Sequence, residues 1–170
     1  VGSEMCIRDR YITNKYPDKK IAIVSCMDTR LTELLPASLG IKNGDVKIIK
    51  NAGAIISHPF GSVIRSLMVA IYELGVVEVM IIGHTDCGAK HMNSSEMIEK
   101  MKERGIPQER IDMIRYCGIN FESWLRGFET SEASVHETVE SGSLCVLKLT
   151  NVPSMSKNTA LIILIPIIFF

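Results

Sequence analysis

Cys26, Met27, Asp28, Thr29 and Arg30 stand in a row, and far downstream come His84, Thr85, Asp86 and Cys87. Two thiols and an imidazole are three ligands of the kind that suits zinc, with one ion expected per subunit. Three is the informative number. A structural zinc site is normally closed by four protein ligands, whereas a catalytic one keeps a position for water or substrate. No further Cys stands near either cluster, and His91, four residues past Cys87, reads as a solvated residue. Asp28 lies two residues beyond Cys26, so in an extended segment both side chains point the same way. It could join the metal as a ligand or accept a hydrogen bond from water there. Arg30, two residues further on, could meet Asp28 in a bidentate pair that keeps the carboxylate ionised and in place. Taken singly, each residue has a plainer reading: a buried thiol, a satisfied core histidine, a strand-end ion pair. Their coincidence is what argues for metal.

Those side chains need elements to bring them together. Residues 21–25 (IAIVS), 46–50 (VKIIK) and 76–82 (VVEVMII) are short, apolar, β-rich runs. Such runs suit strands buried on both faces of a parallel sheet. Helical patterns lie between them. Leu31, Leu34, Leu35 and Leu39 share one face, with Gly40 as a stop. Ile64, Leu67, Met68, Ile71 and Leu74 follow the i, i+3, i+4, i+7 rule, and Gly75 closes them. Residues 95–103, 108–116 and 131–140 read as surface helices. The alternation predicts an α/β fold, a central parallel sheet of about four strands flanked by helices. Cys26 then follows the first strand, Asn51-Ala52-Gly53 the second, and His84 and Cys87 the third. All lie at carboxyl ends of strands, where open α/β sheets place their ligands.

Other residues carry weaker signals. Gly53 permits positive φ or close backbone approach, so Asn51 and Gly53 are candidate walls of a substrate pocket as well as a plain turn. His58 sits in a loop punctuated by Pro59 and Gly61, where a proton-shuttle role is the minor reading. Lys90 and His91 read as solvated residues at a helix start, and Asp86 as the cap of the following turn. The nine methionines are scattered and mark no copper site.

Bulk properties agree with one enzyme-sized domain. The chain has 170 residues, 46% hydrophobic and 22% charged, with 19 Lys and Arg against 19 Asp and Glu. That balance offers no basic patch for nucleic acid. Five cysteines at irregular spacing do not form a disulfide framework. A reducing, cytoplasmic setting is expected, with Cys6, Cys117 and Cys145 as incidental thiols.

The ends differ from the middle. Residues 1–10 lack periodicity and read as a non-native leader, residues 11–140 as the zinc-binding catalytic domain, and residues 141–170 as an atypical, frameshifted tail. The apolar run 160–170 falls well short of the ~20 residues a membrane span needs, and Pro166 interrupts it. No membrane partner is expected.

Cys-x-Asp-x-Arg, then Asn-Ala-Gly, then Gly-His-Thr-Asp-Cys-Gly at this separation resembles the β-class carbonic anhydrases, above all the small microbial ones. The likeness spans about residues 11–140. It implies a β-carbonic anhydrase-like sheet of four parallel strands with an added C-terminal strand. It implies Cys26, His84 and Cys87 on zinc, with Asp28 and Arg30 as a catalytic dyad whose carboxylate can release arginine and bind the metal. It also implies reversible hydration of carbon dioxide to bicarbonate, in a homodimer or larger assembly. The family's N-terminal arm is not evident. No covering strand is recognisable after Glu140, although residues 143–149 (SLCVLKL) could pair as one. A hydrolase of carbon disulfide or carbonyl sulfide is the alternative on the same scaffold. A zinc-stabilised interaction domain without activity is a third reading, and a redox thiol protein a weaker fourth.

Overall fold

The computed structural model describes residues 11–150 and 160–162, with side chains through residue 142. The expected leader 1–10 and the apolar stretch 163–170 lie outside the described residues. Four strands form one sheet in the order β2-β1-β3-β4: β1 (Ile21–Cys26), β2 (Val46–Asn51), β3 (Glu78–Ile82) and β4 (Ala160–Ile162). Every pairing is parallel. Ile21 registers with Val46 and Glu78, and Cys26 with Asn51. Val79 to Ile81 pair with Ala160 to Ile162.

Helices connect and cover the strands: α1 (Leu31–Ser38), α2 (Ser62–Tyr72), α3 (Ser94–Glu103), α4 (Gln108–Tyr116), α5 (Phe121–Trp124) and α6 (Ser131–Thr150). β1 is the central strand and its side chains alternate between two cores. Ala22 and Val24 meet Ile64, Leu67 and Ala70 of α2 and Val135 of α6. Ile23 meets Leu31 and Leu35 of α1, together with Ile82 and Ala89. Burying each such leucine contributes about 1.5–3 kcal/mol. A satellite cluster of Ile98, Ile111 and Phe121 ties α3, α4 and α5 together. Asn93 and Asn120 cap α3 and α5 by accepting from Glu96 N (3.2 Å) and Ser123 N (3.0 Å).

Four sequence expectations need correction. β2 is not buried on both faces: among the described residues it is an edge strand paired with β1, and Ile48 is 39% exposed. Leu34 leaves the apolar face of α1, because successive turns there bury only Leu31 and Leu35. Residues 143–149 are helical, continuing α6, so they are no strand. A strand does follow Glu140, however, since Ala160–Ile162 takes the place beside β3.

Candidate metal centre

β1 ends at Cys26, and the chain turns at once. Met27 N donates to Asn51 O at 2.8 Å, which extends the β1–β2 pairing by one bond. Asp28 then folds back on its own loop, its Oδ1 accepting from Arg30 N at 2.9 Å. β3 ends at Ile82, and Gly83 leads into His84. Ser131 Oγ, in the first turn of α6, donates to His84 O at 2.9 Å and fixes the ligand loop from behind. Cys87 precedes a 3-10 turn, Gly88–His91, whose Ala89 packs into the α1 core.

These turns bring Cys26, His84 and Cys87 into one buried group, their ligand atoms all within 4.8 Å of one another. The two Sγ atoms are 3.7 Å apart. His84 is 2% exposed, and among the described residues neither ring nitrogen has a hydrogen-bond partner. A buried imidazole without partners is costly, at about 1–3 kcal/mol for each orphaned group. A cation at the centre of the three would remove that cost. The thiols tell the same story. Cys26 is pulled down, chiefly by its hydrogen bond with Cys87 and also by the N–H groups of Gly53 and Asp28. Cys87 is pushed above the usual thiol range by Cys26 and by burial. Two adjacent thiolates repel unless a dication lies between them, so the donor set fits zinc.

Asp28 and Arg30 form the expected bidentate pair. Arg30 Nη2 donates to Asp28 Oδ2 at 2.7 Å and Nε to Oδ1 at 3.0 Å. These bonds hold the Asp28 carboxyl well below the usual carboxylate range, and Asp28 in turn raises Arg30. Asp28 Oδ2 stands 4.0 Å from His84 Nε2, beside the triad and outside it.

Gly53 has φ 77°, as its turn requires, and is buried. An added Cβ would lie 2.9 Å from both Ala89 Cβ and Ile55 Cδ1. Its amide faces Cys26, so it serves the thiolate. Asn51 Nδ2 donates to Ile55 O at 2.6 Å, and Asn51 also walls a cavity of about 680 Å³ with Trp124, Phe128 and Thr138. Cys26, His84 and Cys87 do not line that cavity. His58 is exposed and accepts from Phe60 N through Nδ1 at 3.0 Å.

Two residues of the site escaped the sequence reading. Ser131 lies 47 positions from His84, a separation that leaves no trace in sequence. Asp86 does not serve simply as a turn cap. Arg30 Nη1 donates to its Oδ2 and Nη2 to its carbonyl O, each at 2.9 Å. The only hint was its place between two ligands.

Comparison with known proteins agrees with this geometry. The carbonic anhydrase family profile matches residues 21–160. "Putative carbonic anhydrase YtiB" of Bacillus subtilis (strain 168) is 56% identical over 132 residues, 78% of this chain and 71% of that protein. YvdA of the same organism is 55% identical over 129 residues, 76% of this chain and 66% of that protein, just under two thirds. The crystal structure of β-carbonic anhydrase isoform I from Trichomonas vaginalis superposes with a TM-score of 0.75 at 31% identity, covering 94% of this chain and 86% of that one. A parallel sheet that carries two cysteines, a histidine and an Asp–Arg pair at its carboxyl edge, with these relatives, places the chain in the β-carbonic anhydrase family.

Proposed function

We propose that this protein catalyses the reversible hydration of carbon dioxide to bicarbonate and a proton, with one zinc ion held by Cys26, His84 and Cys87. The observation that carries the proposal is the buried ligand triangle, its imidazole unpartnered, beside an Asp–Arg pair. Zinc, when bound, supplies the Lewis acidity that makes water a nucleophile near neutral pH.

The chain's own residues do the rest. Asp28 stays ionised because Arg30 neutralises it, so its oxygens only accept. An acceptor beside the triangle takes a hydrogen bond from the attacking water and turns a lone pair toward carbon. Arg30 keeps that carboxylate from the cluster. If Arg30 releases it, Asp28 can become a fourth ligand and close the position that catalysis needs. Carbon dioxide is small and apolar, which suits the apolar side chains packed around Cys26 and Cys87.

The enzyme works as a homodimer or larger assembly in this reading. The outer edge of β2, unpaired among the described residues, supports it, since such an edge is normally covered. A cytoplasmic setting is consistent with the free thiols of Cys26 and Cys87. Among the described residues no helix is long and apolar enough to cross a membrane.

Stopped-flow carbon dioxide hydration, with zinc measured on the same sample, tests the proposal. About one zinc per chain and a rate abolished in Cys26→Ser/Cys87→Ser are expected. Zinc retained by that double variant would defeat the ligand assignment. Turnover of carbon disulfide or carbonyl sulfide without hydration of carbon dioxide would favour the hydrolase alternative.

A further inference from the structure

Asp86 has φ 52°, in the left-handed region that costs a residue with a Cβ. Aspartate is among the few such residues that adopt it readily. Here it turns two acceptors of one residue toward the same guanidinium. Arg30 Nη1 donates to Asp86 Oδ2 at 2.9 Å, and Nη2 to the Asp86 carbonyl at 2.9 Å. On its other side the guanidinium grips Asp28 through Nε and Nη2. Arg30 therefore spans from the loop after β1 to the loop that carries His84 and Cys87.

We propose that Asp86 is a positioning residue for the Asp28–Arg30 pair: it ties Arg30 to the ligand loop and so holds Asp28 off the metal-ligand cluster. The proposal rests on the reading of that cluster as a zinc centre with Asp28 beside it. Energetics favour orientation over stability as the role. The Asp86 side chain is 81% exposed, and exposed ion pairs contribute little. Geometry is another matter. A guanidinium is a rigid plane, so anchoring Nη1 sets the plane in which Nε and Nη2 meet Asp28. Loss of this contact removes one restraint on that plane and loosens the fork that holds the carboxylate.

Asp86→Asn and Asp86→Gly both remove the carboxylate and tolerate the left-handed backbone. Each should keep its metal stoichiometry and thermal midpoint. With cobalt(II) in place of zinc, the visible spectrum should shift toward that of Arg30→Ala. Carbon dioxide hydration should fall about tenfold or more in kcat, with KM less affected, as for other groups that hold a metal site's neighbours. In an Arg30→Ala background, Asp86→Asn should add nothing to either readout. Parental cobalt spectra in both variants would overturn the proposal. So would an Asp86→Asn effect undiminished in the Arg30→Ala background, or loss of metal and fold in both variants, which would mark a structural residue. An inactive parent would instead defeat the hydration reading, while the cobalt spectra would still decide the role of Asp86.

Discussion

Arg30 is the residue on which the site's two halves meet. Its charge is shared between Asp28 and Asp86, and only one of those partners was legible in sequence. Asp28 was legible because it lies two positions from Arg30, a spacing that puts both side chains on one side of an extended segment. Asp86 is 56 positions away and meets Arg30 only because β1 and β3 are adjacent. Arg30→Ala should leave Asp28 unrestrained. We expect hydration to fall about 10–100-fold with zinc content nearly unchanged. Metal analysis and stopped-flow rates on one preparation check this. A parental rate would end the restraining role of Arg30.

At the scale of elements, the site depends on how tightly segments press on the ligand loop. Residues 125–128 run beside the turn after Cys87: Gly127 N donates to Met92 O at 2.9 Å and Phe128 N to Lys90 O at 3.3 Å. A Cβ on Gly127 would collide with the Lys90 carbonyl oxygen, which is backbone and cannot swing aside. Gly127→Ala should therefore break this strip and cost about 1–3 kcal/mol. Faster loss of zinc to a chelator should accompany it, because the strip backs the Cys87 turn. Urea unfolding and chelation kinetics measure the two effects. An unchanged pair of values would show that the strip does not support the loop. None of this was visible in the helix and strand periodicities, since Gly127 sits between elements.

At the scale of the whole molecule, the open questions are the sheet's two edges. The sequence changes character after Glu140, yet α6 continues unbroken to Thr150 and β4 covers β3. A chain ended at Glu140 would lose half of that helix and uncover the Val79–Ile81 edge. Its thermal midpoint should fall by roughly 4–8 °C, the equivalent of about 2 kcal/mol in a chain of this size. An unchanged midpoint with equal or better solubility would instead support residues 141–170 as an atypical tail. The other edge is β2, where we expect a second copy. Light scattering should give twice the chain mass of 18.9 kDa or a higher multiple. A stable monomer with full activity would show that catalysis needs no second copy.

Sequence alone determined the donor types and the topology that unites them. A thiol or imidazole declares its chemistry by its composition, and apolar runs alternating with helical periods dictate a parallel sheet. Strand ends then place Cys26, His84 and Cys87 on one edge, whatever the details of packing. Tertiary structure decided everything that depends on contact between distant segments. Asp86 facing Arg30, Ser131 holding His84, and β4 completing the sheet arise from distances that no local pattern encodes. Local periodicity reports which face a residue presents. Only the packed chain reports what that face meets.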